Sequence, residues 1–286
     1  MWLSLALVSA ILLALRRVYE KELSSRFGNF SLAFVLQIFS IPPAFILLFF
    51  LPVPENIAHL PLSFWLPLLI IWIIILPVQT YFLYRSLREG ELSEVTPVSA
   101  LLPVFNIATS FFVIGELPTS YGLIGIMLTV IATFLLLSDT ERGARVAYNR
   151  PVLFMIISIA CTAIGSTLDK VALGVSTPAF YSFVNICGAA VIFLVFTYLY
   201  REQSELKQIR KMFWTLCMLG IVLAVAFVAF TAAFSIAPTS YVLALRSGGF
   251  LVAALWGIFF LHESLSRKKI IALALFTLGT FALALG

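Results

Sequence analysis

The sequence predicts an all-α membrane protein that crosses the bilayer ten times as two inverted five-helix repeats. Three observations carry that prediction: a composition too apolar for water, ten apolar runs of membrane-spanning length, and a faint duplication of the first half in the second. Of the 286 residues, 62% are hydrophobic and 11% charged. A soluble domain has about 45–50% apolar and about 25% charged residues. The 27 Phe suit lipid. So do Trp2, Trp65, Tyr84, Tyr121, Tyr200 and Trp214, which fall near run ends, where amphipathic rings sit at headgroup level.

A hydrocarbon core about 30 Å thick needs roughly 20 apolar residues per helix. Runs of that kind occupy about 2–23, 31–51, 62–84, 94–115, 119–138, 151–173, 178–200, 213–235, 238–261 and 268–285. Phe27-Gly28-Asn29, Pro52-Val53-Pro54-Glu55, Arg88-Glu89-Gly90-Glu91 and Arg142-Gly143-Ala144-Arg145 separate several of them. The first run begins Met1-Trp2-Leu3 without a basic leader and reads as a retained span rather than a cleaved signal. Lipid offers the backbone no hydrogen-bond partners, so only helices or a closed barrel can span it. A barrel needs alternating polar and apolar residues, and Leu68-Leu69-Ile70-Ile71-Trp72-Ile73-Ile74-Ile75-Leu76 is apolar on all sides. The spans are therefore helices.

Charge then sets the sidedness. With the links between runs numbered one to nine, sixteen of the 18 Lys and Arg fall in or beside odd-numbered links. Lys170 is the lone basic residue at an even link, and Arg246 lies inside the ninth run. Basic residues stay on the cytoplasmic side, which puts the odd links inside and both termini outside, in the cell (inner) membrane. The net charge of +5 is thus explained by topology, because the cations form no basic domain for nucleic acid. Cys161, Cys187 and Cys217 each lie in an apolar run and read as small core residues rather than a disulfide or metal framework.

The halves divide as 1–143 and 144–286. Ser9, Ala14 and Glu20-Lys21 match Ser158, Ala163 and Asp169-Lys170 at an offset of 149. Gly115-Glu116-Leu117-Pro118-Thr119 matches His262-Glu263-Ser264-Leu265-Ser266 at 147, as Thr133-Phe134 matches Thr280-Phe281. Five spans per half is an odd number, so the second half is inverted relative to the first. Inverted repeats recur in secondary transporters, with a site near the midplane between halves.

The ten runs, the two halves and the paired signatures at Gly115–Thr119 and His262–Ser266 together resemble the EamA branch of the drug/metabolite transporter superfamily. The resemblance covers essentially the whole chain. The second signature departs from the pattern with His262 in place of Gly. The resemblance implies a carrier of a small metabolite, with a central cavity lined mainly by spans one, three, four, six, eight and nine. It names no cargo. Related carriers are drawn with both termini in the cytoplasm; the charges here put them outside, and the reading follows the charges.

Arg246 is the foremost candidate for the cavity. It sits about eight residues into the ninth run, roughly 12 Å from the helix end, where a charge usually faces a wet cavity or a carboxylate. Asp169 is its alternative, structural partner. Arg17, Glu20 and Lys21 share one face at i, i+3, i+4 spacing, which suits a pair between Arg17 and Glu20 at a cavity mouth or simple anchoring at the interface. Gln79, Tyr81 and Asn106 are candidates to bond or stack on a polar cargo, against the alternative of interhelical bonding. Tyr241 is a further candidate beside Arg246. Glu116 and Glu263 read as organisers of the signature turns. Pro77, Pro97 and Pro103 interrupt spans three and four as kinks or hinges. Gly122, Gly125, Ala272 and Gly279 suit close packing of spans five and ten.

No phosphate-binding Gly-x-x-x-x-Gly-Lys-Ser/Thr loop, metal cluster or catalytic triad is present, and His59 and His262 stand alone in links. The expectation is a non-enzymatic carrier without cofactor or metal, taking a small polar, anionic or zwitterionic metabolite such as an amino acid. It would work as exporter or exchanger with a coupling proton or counter-transported solute. Carriage of a lipid-linked head group or amphiphilic drug, and a non-transporting receptor or scaffold, are the alternatives. Monomer and homodimer stay open.

Overall fold

Apolar runs with no polar face leave the backbone to satisfy itself, and every regular element in the described residues is helical. The computed structural model describes residues 1–23, 26–90, 95, 97–137, 150–247 and 267–285. Its helices are α1 (Trp2–Leu23), α2 (Asn29–Leu47), α3 (Leu62–Glu89), α4 (Leu102–Ile114), α5 (Ser120–Leu137), α6 (Arg150–Leu173), α7 (Pro178–Leu199), α8 (Phe213–Ile236), α9 (Thr239–Ser247) and α10 (Arg267–Leu285). Of these, α2, α3, α6, α7 and α8 are long and apolar enough to cross a membrane, and the shorter apolar helical segments are Trp2–Arg16, Val98–Ile114, Ser120–Leu135 and Ile270–Leu285. The ninth run is described as far as Ser247. The rest of it, the second signature and the division at 143/144 lie outside the described residues.

The prolines expected to act as kinks or hinges shape α3 and α4 in different ways. In α3 the residues Ile71–Ile75 form a π-helical turn directly before Leu76-Pro77. Pro77 lacks an N–H and crowds the preceding turn, and the wider turn accommodates it without ending the helix. Pro97 opens a 3₁₀ turn over Pro97–Leu101, and Pro103 falls at the second position of α4. There the missing donor has no intrahelical partner to lose. These two prolines start the helix rather than kink it.

The two halves interlock. α1 packs on α8, α2 on α7 and α8, α3 on α6, α4 on α6 and α9, and α5 on α10. Each of these contacts joins the first half to the second, so neither half buries its apolar faces alone. α5 and α10 approach most closely where Gly125 and Gly279 face each other; a methyl group added at Gly125 would come within 2.9 Å of the Gly279 carbonyl oxygen. Small residues at this seam let the backbones meet. A larger apolar cluster, including Ala6, Phe64, Leu68, Tyr181, Phe234 and Val242, joins the ends of α1, α3, α6, α7, α8 and α9 that adjoin the N-terminus and the even links. A second, with Leu23, Phe27, Val35 and Leu216, fills the opposite end between α1, α2 and α8.

Candidate substrate cavity

Between these clusters lies a cavity of about 240 Å³. Most of its wall is aliphatic and aromatic, with Leu36, Ile75, Phe193, Phe227 and Phe230 among the lining residues. Its polar groups come one or a few per helix. α1 brings Arg16, α2 Gln37, α3 Gln79 and Thr80, α7 Asn185 and α9 Arg246. α6 brings Thr162, Ser166 and Asp169, spaced i, i+4, i+7 and so aligned on one face.

Asp169 is buried and accepts a hydrogen bond at Oδ1 from the fully buried Tyr181 hydroxyl. Asn185 Nδ2 donates to that hydroxyl oxygen at 3.3 Å, and Trp72 Nε1 donates to Asn185 Oδ1 at 2.7 Å. Trp72 belongs to the π-helical turn of α3. Its indole fills the space beside Gly188, where any Cβ would collide with it. On the other side, the Arg246 guanidinium lies 4.0 Å from the centroid of the Phe230 ring and attracts the Asp169 carboxylate electrostatically. A charged group at this depth is costly unless paired or stacked. One chain of hydrogen bonds therefore runs from the irregular turn of α3 through α7 to Asp169 of α6.

A second polar cluster closes the even-link face. Gly115 ends α4 in the left-handed region (φ 67°), where glycine avoids the Cβ penalty. The turn it makes, with Glu116 N–H donating to Ser110 O at 3.3 Å, delivers the Glu116 carboxylate to two other helices. Lys170 Nζ at the end of α6 lies 2.9 Å from Glu116 Oε1 and donates to Ala237 O at 2.7 Å. The Thr239 N–H and hydroxyl, which begin α9, donate to Glu116 Oε2 at 3.3 and 3.1 Å. The expectation that Glu116 organises its own turn is too narrow: it joins α4, α6 and α9.

The sequence-derived candidates distribute unevenly. Arg246, Asp169 and Gln79 line the cavity. Asn106 does not. Its Nδ2 turns to α6, facing Ala163 O, Ser166 Oγ at 3.0 Å and Thr167 Oγ1 at 3.2 Å. α4 contributes nothing to the cavity wall, whereas α2 and α7 do, so the expected lining by spans one, three, four, six, eight and nine is corrected on those three helices. Tyr81 packs outward among Phe82, Tyr200 and Arg85, accepting from Arg85 Nη1 at 2.8 Å. The Tyr241 hydroxyl bonds Thr119 and fills the space beside Gly122. The side chains of Arg17, Glu20 and Lys21, and all of Glu263, lie outside the described residues; their neighbour Arg16 faces the cavity.

Sequence reasoning missed Trp72, Tyr181 and Asn185. Asn185 was findable as an amide inside an apolar run. Trp72 was not, because the run around it is hydrophobic on every side.

A helical chain whose two halves interlock around a largely apolar cavity carrying a few polar side chains has the architecture of a polytopic membrane carrier. The EamA-like transporter family model matches residues 1–138 and again 149–285, and the chain belongs to that family. It is thus a multi-pass membrane protein of the drug/metabolite transporter type. A solved crystal structure of a similar protein aligns with a TM-score of 0.74 at 18% identity, covering 99% of this chain and 96% of that one, which establishes the fold alone. No curated protein matches the sequence.

Proposed function

We propose that the protein is a secondary transporter of the cell (inner) membrane that moves a small anionic or zwitterionic metabolite, such as an amino acid, by alternating access. The observation that carries this reading is Arg246, a cation stacked on Phe230 at the wall of the cavity. A guanidinium grips a carboxylate or phosphate through paired, charge-assisted hydrogen bonds. Among the described residues the cavity is lined by the cations Arg16 and Arg246 and by the acid Asp169. The volume of about 240 Å³ suits a small metabolite, since pockets for drug-sized ligands measure about 300–1,000 Å³. That argues against a lipid-linked head group or amphiphilic drug.

Alternating access follows from ten spans built as inverted repeats. The helix pairs support that arrangement. Exchanging the halves turns α1–α8 into α6–α3 and maps α2–α7, α4–α9 and α5–α10 onto themselves. The cluster around Glu116 and Lys170 closes one face, and the charge bias makes it the outer one. A C-terminal reporter active only in the cytoplasm would reverse that sidedness.

The test of cargo class is a thermal-shift screen of metabolites on detergent-purified protein, because a ligand of the folded state stabilises it by mass action. Ligands found this way should stabilise Arg246→Lys less and Arg246→Ala not at all, with uptake into proteoliposomes falling in the same order. The rival role for Arg246 is structural pairing with Asp169, in which loss of one partner strands the other charge. If Arg246→Ala with Asp169→Ala regains both wild-type stability and full uptake, Arg246 is structural and the cargo reading fails.

A further inference from the structure

We propose that the link between α7 and α8 is a binding surface for the head groups of anionic phospholipids, with Lys207 and Arg210 at its centre and Arg201 and Lys211 at its ends. The partner is the bilayer itself, whatever the cargo.

Both α7 and α8 are long and apolar enough to cross a membrane, so the short link that joins them lies at a membrane surface. Exposed Tyr198, Tyr200 and Trp214 flank it, as rings do at headgroup level. Within the link, Gln203–Lys211 forms a 3₁₀ helix, in which residues three apart eclipse one another. That period sorts the side chains onto three edges. Leu206, Ile209 and Met212 make an apolar edge, packed against the cluster that contains Leu23, Phe27, Val35 and Leu216. Glu202, at the N-cap, and Glu205 make an acidic edge that meets the start of α2. Glu202 accepts from the N–H groups of Asn29, Phe30 and Ser31 at 3.1, 2.8 and 2.7 Å. Glu205 accepts from the Gly28 N–H and from the Ser31 hydroxyl. Lys207 and Arg210 make the third edge. They are exposed, as are Arg201 and Lys211.

This sorting separates the charges. Glu202 and Glu205 are the only acids between Arg201 and Lys211, and both are engaged by the N–H groups at the positive end of α2. The four cations are left to the outer surface of the link. In a soluble protein such a face would simply be solvated. Here Tyr200 and Trp214 set it beside the phosphates of the leaflet, and basic residues next to the end of a membrane helix attract anionic head groups. Arg210 supplies a planar fork for a phosphate, and Lys207 and Lys211 supply point charges. The other two edges are built into the core and onto α2, so a head group held on the third stabilises this end of the bundle.

Thermal melting of the detergent-purified full-length protein tests this, in mixed micelles with phosphatidylglycerol or with phosphatidylcholine of the same acyl chains. Phosphatidylglycerol should raise the melting temperature more, by mass action. The difference should shrink as salt rises. Lys207→Gln, Arg210→Gln and Lys211→Gln should each raise the mole fraction of phosphatidylglycerol needed for half the shift by about fivefold. Without the lipid their melting temperatures should match the wild type, since these side chains are exposed. Lys207→Arg with Lys211→Arg should keep the wild-type response. Equal shifts from the two lipids, or no shift from either, overturn the proposal. A preference for phosphatidylglycerol that survives all three glutamine replacements together overturns it too, because the anion then binds elsewhere on the protein. So does an equal shift from soluble glycerol 3-phosphate at the same concentration, which would make this a site for free phosphate rather than for the bilayer.

Discussion

Lys170 Nζ lies 2.9 Å from Glu116 Oε1, and this one ion pair joins the last turn of α6 to the turn that ends α4. Through its second oxygen Glu116 also reaches the first residue of α9. All three helix ends belong to the same face of the bundle, and the alternating access proposed above would require that face to open. The contact should therefore be both stabilising and obligatorily breakable.

Lys170→Ala and Glu116→Ala should each lower stability by about 1–3 kcal/mol, as expected for a charge-assisted contact largely shielded from solvent. Measured by thermal melting in detergent, the double variant should cost less than the sum of the singles. In a background with Cys161, Cys187 and Cys217 replaced, Glu116→Cys with Lys170→Cys should be joined by a bis-methanethiosulfonate cross-linker, which bridges the gap left by the two shortened side chains, and uptake should stop. A reductant should restore it. Undiminished uptake with the cross-link formed would show that this face does not open.

Trp72 and Gly188 form a matched pair, with the indole occupying the place of the missing side chain. Gly188→Ala should cost about 1–3 kcal/mol through overpacking. It should also shift the Trp72 environment and break the bond to Asn185. Trp72→Phe in the same chain should recover part of the melting temperature. No recovery would mean that Gly188 is needed for another reason.

Asn106 tests the difference between a cargo ligand and a helix clamp. Its bonds to α6 predict that Asn106→Ala lowers stability by about 1 kcal/mol, typical of interhelical polar contacts in membranes. The KM for uptake should stay at its wild-type value. A large rise in KM with unchanged melting temperature would return Asn106 to the cargo site.

At the seam of α5 and α10, Gly125→Leu or Gly279→Leu should force the backbones apart. Each should lower stability by about 1–3 kcal/mol. Because the two glycines share one contact, the double variant should fall well short of additivity. Independent, fully additive losses would show that the helices do not meet at these residues.

The solvent of this protein, its helical class, the places where the described helices run and the repetition of its two halves are all legible in the amino-acid sequence. Those properties follow from composition, run length and the backbone's need for hydrogen bonds, and all are local enough to read along the chain. Arg246 is legible there too, because a charge inside an apolar run is conspicuous wherever its neighbours lie. Which polar residues face the cavity was decided by tertiary structure. Asn106 and Asn185 are both amides within apolar runs, yet one clamps α4 to α6 and the other faces the cavity wall. A soluble helix betrays its inward face by a polar outer one. Here lipid and protein interior are equally apolar, so the runs around these amides carry no stripe from which a face could be read. The partner across each helix, and with it the route from Trp72 to Asp169, exists only once the two halves interlock.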